Sequence, residues 1–216
     1  MRALPVYATL TVLPKAQHWT TLASGLMLGL ATMAVQAQAV LFDFNDPVLL
    51  HSPLPLDITR SGLTAHLSAT GVGYSIQDPV QTILMLPTGF SGYALNPDSV
   101  FLADLLVRFD VPLSDFSIMV APQELACDTT ATLRVTGYFG TTFVATATVF
   151  AAPTDPPPPY MWSSSTLSLS ASQGFDHLVV HYDSPPPPPA CDYGVIFVAD
   201  NMHATPLDNI FANGFE

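Results

Sequence analysis

Lysine is absent from this chain beyond Lys15. Glutamate is nearly absent too, with only Glu124 and Glu216 against fifteen aspartates. Past residue 39 the basic residues are Arg60, Arg108 and Arg134 alone. Set against 17 acidic residues, they give that part a charge of −14. So few cations cannot hold a phosphate backbone, so nucleic acid is excluded as a partner. An anionic membrane surface is disfavoured by the same repulsion. With two glutamates in all, the paired-Glu site of many sandwich-fold glycosidases cannot be built, although an Asp-based hydrolase stays open as an alternative. Long apolar runs are missing beyond the N-terminal region, so no later segment is expected to span a bilayer. Cysteine is scarce, with only Cys127 and Cys191.

The N-terminal region has what the rest lacks. Residues 1–21 carry Arg2, Lys15 and His18 and no acid. An apolar stretch from Leu22 to Val35 follows, ending in Val35-Gln36-Ala37-Gln38-Ala39. A basic start, an apolar middle and small residues before a cut are the order of a signal peptide, helical before its removal. The apolar stretch is shorter than the roughly 20 residues a spanning helix needs. Residues 1–39 are therefore expected to be cleaved after Ala37 or Ala39. The product would lie outside the cytoplasm: secreted, periplasmic or on the cell surface. There an even cysteine count points to one Cys127–Cys191 disulfide, whose long loop would contribute about 4 kcal/mol in the chain-entropy picture.

Strand patterns dominate the remainder. Leu63 to Thr70 alternates apolar with mostly polar residues. In Leu102 to Asp110, Leu105, Val107 and Phe109 share one face, with Asp104, Leu106 and Arg108 on the other. Phe116 to Ala121 reads as a separate strand after a turn at Pro112-Leu113-Ser114-Asp115. Ala131 to Phe139 and Thr142 to Ala151 read as a hairpin around Gly140-Thr141. Thr166 to Ala171, Phe175 to Tyr182 and Tyr193 to Ala199 complete the set, and Val40 to Phe44 opens it. Val, Thr, Phe and Tyr suit a pleated surface, and no amphipathic helix appears. Roughly eight to ten short strands broken by Pro and Gly predict an all-β chain, an antiparallel β-sandwich of the jelly-roll type, over residues 40–204. Residues 205–216 form a tail. Two proline runs, Pro156–Pro159 and Pro185–Pro189, are expected as stiff spacers or loops.

Few residues stand out for chemistry. His177 and His181 have a metal-like spacing, but four residues along a strand cover roughly 13 Å, too far for one ion. They read as surface histidines. Gly89-Phe90-Ser91-Gly92-Tyr93 has its second glycine one place early for a nucleophile elbow. No phosphate-binding loop is present. Binding is the better class, because sandwich domains hold sugars on aromatic rings with polar groups around them. Tyr160 and Trp162, in a loop beside rigid prolines, are the first choice, with Tyr93 and Tyr138 near turns. The bland role for Trp162 is to cover the end of the core. Asp43, Asn45 and Asp46 near the first strand, with Asp200 and Asn201 on the last, offer oxygens for a structural calcium; otherwise the acidity serves solubility.

Some segments resemble a known group. Gly194 to Met202, ending in an Asp200-Asn201 step, is similar to the closing strand of exported bacterial jelly-roll proteins of the PEP-CTERM kind. Phe175 to Tyr182 and the opening Phe42-Asp43-Phe44 fit the same layout. The resemblance implies an exported jelly-roll domain. The group's Pro-Glu-Pro, apolar C-terminal helix and basic end are not seen, so its anchoring step is not carried over. Ile210-Phe211-Ala212-Asn213-Gly214-Phe215-Glu216 resembles a short tail on assorted exported proteins of Gram-negative bacteria, which implies a shared sorting or display step; the other role for it is an edge strand held by Ile210 and Phe211. Taken together the chain is expected to be a non-catalytic exported module binding a glycan or surface component. A structural envelope or matrix protein is the alternative.

Mass spectrometry of the exported protein tests this reading. The N-terminus is expected at Gln38 or Val40, and reduction should add two hydrogens to the intact mass.

Overall fold

The computed structural model describes residues 37–82, 86–122, 131–151, 164–183 and 196–208. Residues 1–36 of the signal segment, both cysteines, both proline runs and the last eight residues lie outside the described residues.

Among the described residues ten strands form one antiparallel sheet: β1 (Val40–Phe42), β2 (Leu56–Arg60), β3 (Leu63–Ala69), β4 (Tyr74–Gln77), β5 (Ala94–Pro97), β6 (Leu105–Pro122), β7 (Ala131–Phe139), β8 (Thr142–Ala151), β9 (Ser165–Tyr182) and β10 (Phe197–Pro206). The all-β antiparallel class expected from the alternation is what the chain adopts. Among the described residues helix is confined to single turns at Pro47–Leu49 and Pro79–Thr82. None of the described helices is long and apolar enough to cross a membrane.

The main path through the sheet runs β4-β5-β10-β6-β9-β7-β8, with β2 and β3 branching from β6 and β1 from β10. The last strand, β10, lies between β5 and β6, so the connections cross rather than meander. This is the kind of order expected of a jelly roll.

Two strands are longer than the local pattern predicts. Pro112 and the residues around it read as a turn, yet β6 continues through them for 18 residues. Gly174 likewise does not end β9, which joins the two segments expected at 166–171 and 175–182. The ladder between β6 and β9 shifts register on both sides of the Leu113–Phe175 pair. The interruptions are bulges, where an extra residue bends the strand without ending it. Proline and glycine are tolerated at such places, which is why they imitate turns in sequence. Gly174 has φ +75° there, and a Cβ would lie 2.9 Å from Leu207 Cδ2.

The shared bend folds the sheet into a sandwich. Before it, β6 pairs with β3 and with the end of β9; beyond it, β6 pairs with β10 and with the start of β9. The inward residues of both halves make one core, including Leu67, Leu105, Val107, Leu113, Ile118, Val135, Leu169, Leu178, Val180 and Phe197. Aromatic rings span the corner. Phe109 lies 6.1 Å from Phe42 and 6.4 Å from Phe116, both near edge-to-face.

Phe109 is thus the ring that ties β1 to both arms of β6. Phe109→Ala is expected to lower stability by about 3–5 kcal/mol, read from the urea midpoint at unchanged m-value.

Candidate functional site

The outer face of the β3-β6-β9-β7 segment carries the densest chemistry. Leu105, Val107 and Phe109 are buried, so their neighbours Leu106 and Arg108 must face outward. The same rule turns His177, Val179 and His181 of β9 outward, because Leu178 and Val180 are buried. Cross-strand register then makes rows. His66 opposes Arg108, Arg108 opposes His177, and His177 opposes Tyr138. The next row is Ser68, Leu106, Val179 and Thr136. With strands roughly 4.8 Å apart, one row spans about 14 Å.

A groove of about 370 Å³ lies on this face, lined among others by Ser68, Leu106, Arg108, Gly140, Asp176 and His177. Tyr138 stacks on His177 with ring centroids 5.1 Å apart and planes at 11°. Phe143 then meets Tyr138 edge-on at 6.3 Å. β7 and β6 flank β9 on opposite sides, so Tyr138 covers the imidazole from the β7 side while Arg108 opposes it from β6. Asp176 orients the same ring: its Oδ1 is 2.7 Å from His177 Nδ1. Both Asp176 oxygens also accept the Gly140 amide at 3.1 Å. Burial pushes the Asp176 carboxyl up, but the His177 hydrogen bond, the Gly140 amide and the charges of His177 and Arg108 outweigh it, and the group sits below its ordinary value. With Nδ1 tied to a carboxylate, Nε2 is the nitrogen left for other partners.

Several other charges on this face are paired. His66 Nδ1 meets Asp57 at 2.8 Å, and His181 Nδ1 meets Asp104 at 2.6 Å. Arg134 holds Asp183 with two nitrogens, at 2.7 and 3.0 Å. Hydrogen bonding to Arg134 is the main reason the Asp183 carboxyl lies below its ordinary value, with burial opposing.

The expected site residues separate. Tyr138 belongs to the groove face, as backing for His177. Tyr93 does not: it precedes β5, its amide donates to Asn45 Oδ1 at 2.8 Å, and its side chain packs half-buried against the core. Tyr160, Trp162, Cys127 and Cys191 lie outside the described residues. The sequence does not mark Arg108 or His177 as binding residues. Alternation could mark both as outward, but nothing local pairs them.

Of the five residues expected around calcium, four come together. Asp200 is fully buried beneath the loop Gly89-Phe90-Ser91-Gly92-Tyr93, where its Oδ2 accepts the Ser91 amide at 3.1 Å and its Oδ1 the Asn201 amide at 2.7 Å. Asn201 Nδ2 donates to the Gly89 carbonyl at 3.1 Å, and the Asn45 amide donates to Asp43 Oδ1 at 3.4 Å. Asp46 is used elsewhere. It accepts the Val48 amide at the start of a helical turn and faces Arg60 at 3.9 Å. Asp200 Oδ2, Asn45 Oδ1 and the Asn201 side-chain amide together clasp the loop. Among the described residues no group of three or more His, Cys, Asp or Glu gathers as metal ligands. The loop's approach to Asn45 explains its second glycine: φ at Gly92 is +66°, and a Cβ would sit 2.0 Å from Asn45 Oδ1.

Burial pushes the Asp200 carboxyl up from 3.8 to about 6; the Ser91 and Asn201 amides oppose the shift and the Asp43 charge adds to it. A raised folded value means the native state holds the proton more tightly than the unfolded chain does. Ionising Asp200 therefore costs stability as pH rises from about 4 to about 6, by about 3 kcal/mol in full. In calcium-free buffer, urea midpoints across this window should show Asp200→Asn lacking that downward contribution; parallel profiles for the two proteins would contradict the assignment.

No family model and no curated protein matches the chain. Among solved structures it is similar to the K2 cleaved adhesin domain of Lys-gingipain, at 15% identity and a TM-score of 0.45, over 78% of this chain and 99% of that one. The K1 cleaved adhesin domain of Lys-gingipain from Porphyromonas gingivalis W83 matches at 15% identity and a TM-score of 0.37, over 78% and 98%. The CBM22-1–GH10 modules of Clostridium thermocellum xylanase 10B, complexed with xylohexaose, match at 12% identity and a TM-score of 0.36, over 74% of this chain and 28% of that one.

Proposed function

We propose that this chain is an exported, non-catalytic β-sandwich binding module that holds a glycan or another surface component in the groove beside His177. The observation that carries this is the Tyr138-backed imidazole facing a groove of about 370 Å³ with Arg108, Asp176 and Ser68 on its walls. A sugar needs a flat apolar or aromatic face and a few fixed polar groups. His177 supplies the face, Leu106 adds apolar wall, and Arg108 and Ser68 supply donors. The signal-like N-terminus, with its acid-free start, supports delivery outside the cytoplasm. Tyr160 and Trp162 belong to this proposal as further stacking residues, on sequence grounds alone.

Two features support a binding rather than a hydrolytic role. Glycoside hydrolysis uses two carboxyls across the scissile bond. Among the described residues Asp176 is the one carboxylate on the groove's walls, and both its oxygens are engaged. Asp200 has a carboxyl held near the range of a general acid, but it is fully buried under its loop.

A structural envelope or matrix protein is the second reading, and β8 favours it. Among the described residues β8 pairs only with β7, carries no charge along ten residues, and exposes Phe143 and Phe150. An uncharged edge strand is a place where another strand can add.

A glycan array with the exported protein tests the first reading. Binding is expected, with a loss of roughly tenfold or more in affinity, about 1.4 kcal/mol, for His177→Ala and a smaller loss for Tyr138→Ala. Trp162→Ala run alongside reports on the loop. A folded protein that captures no glycan, while scattering light more strongly with concentration, would favour the matrix reading instead.

A further inference from the structure

We propose that the groove selects an acidic sugar, a uronate, whose carboxylate is received by Arg108 at short range, against the long-range repulsion of the chain's net negative charge. The proposal rests on the glycan reading above and narrows it to a chemical class.

Beyond residue 39 the chain has three arginines. Arg60 faces Asp46 and Arg134 grips Asp183. Arg108 makes no ion pair among the described residues, although the chain has 17 acidic residues available. It is exposed and lines the groove. A planar guanidinium offers a fork of N–H donors that matches a carboxylate with two parallel hydrogen bonds.

The carboxylates near it are already engaged. Asp176, whose ionised form is favoured in part by the charge of Arg108, binds His177 and the Gly140 amide. Asp57 is taken by His66. Asp110, two residues along β6, accepts the Thr64 amide at 3.3 Å. The row thus reads His66, Arg108, His177 across β3, β6 and β9, with each histidine matched to its own aspartate. Arg108 is the position in that row whose donors remain for a ligand.

The geometry suits a ring with a carboxylate at its edge. Arg108 and His177 are directly opposed across one strand spacing, roughly 4.8 Å. A pyranose ring held in the groove against His177 would lie beside Arg108, and in the proposed mode a carboxylate on its C5 pairs with the guanidinium. The Ser68 hydroxyl and Leu106, also on the groove walls, are left for the ring's remaining hydroxyls and C–H groups. A neutral hexose could use the stacking face but would leave the guanidinium with solvent.

The test compares uronate oligosaccharides (galacturonate, guluronate, mannuronate and glucuronate series) with their methyl esters, by calorimetry on the full exported chain. Esterification removes the charge and keeps the ring. At least one free acid is expected to bind tenfold or more tightly than its ester, and Arg108→Gln, checked for an unchanged melting temperature, should bring the two to the same affinity. Equal binding of acid and ester, or a preference that survives Arg108→Gln, overturns the uronate assignment while leaving a glycan groove in place. Triglutamate binding as tightly as the best uronate would also overturn it, since it would mean carboxylate capture without a sugar. A protein that binds neither these oligosaccharides nor any glycan on the array fails at the earlier step.

Discussion

β6 and β9 run side by side for most of 18 residues each, and they bend at the same place. Their strict alternation sends Leu105, Val107, Leu178 and Val180 into the core and leaves Arg108 and His177 outside. Burial of the inward set is what fixes the outward set, because a slip of one residue would exchange the two faces. The bend at Pro112–Leu113 and Gly174–Phe175 lets a single ladder serve both halves of the sandwich. Phe42, Phe109 and Phe116 pack across that corner, so the core and the groove depend on one pair of strands.

Charge is used sparingly in this setting. Three arginines and a few histidines face fifteen aspartates beyond the signal segment. Most cations on the groove face are bound to a carboxylate, which holds the face together and fixes ring orientation. Asp176 shows both effects, gripping the Gly140 turn and steering His177. A cation without such a partner is therefore informative about ligands in a way that it would not be in a chain of balanced charge.

The clasp around Asp200 does different work. A fully buried carboxylate is costly to ionise, and here the amides of Ser91 and Asn201 offset only part of that cost, with no cation to meet the rest among the described residues. The result joins the loop before β5 to the first and last strands. The residues are those that an ion site would use, and the first and last clusters do meet, but their oxygens point at backbone N–H groups. Asp and Asn serve both purposes because each is a short side chain with an acceptor oxygen.

Much of the fold was legible in sequence because alternation is local: a half-buried strand writes its inward and outward faces every second residue. The β7–β8 hairpin and the strands near residues 63–70, 105–109 and 175–182 were readable on that basis. Short strands such as β4 and β5 were not, since four residues carry too little pattern. The continuity of β6 and β9 was hidden because Pro112 and Gly174 mark a bulge and a turn alike. Of the groove, Tyr138 was visible as an aromatic near a turn, whereas Arg108 and His177 were ordinary outward residues.

By itself the sequence determined the all-β class, the acidic, lysine-free body and the order of residues along each face. Only the tertiary structure decided that His66, Arg108, His177 and Tyr138 form one row, and that Asp200 meets Ser91 and Asn45 meets Tyr93. Register between strands far apart in the chain is set by which buried faces fit together, and no local pattern records it.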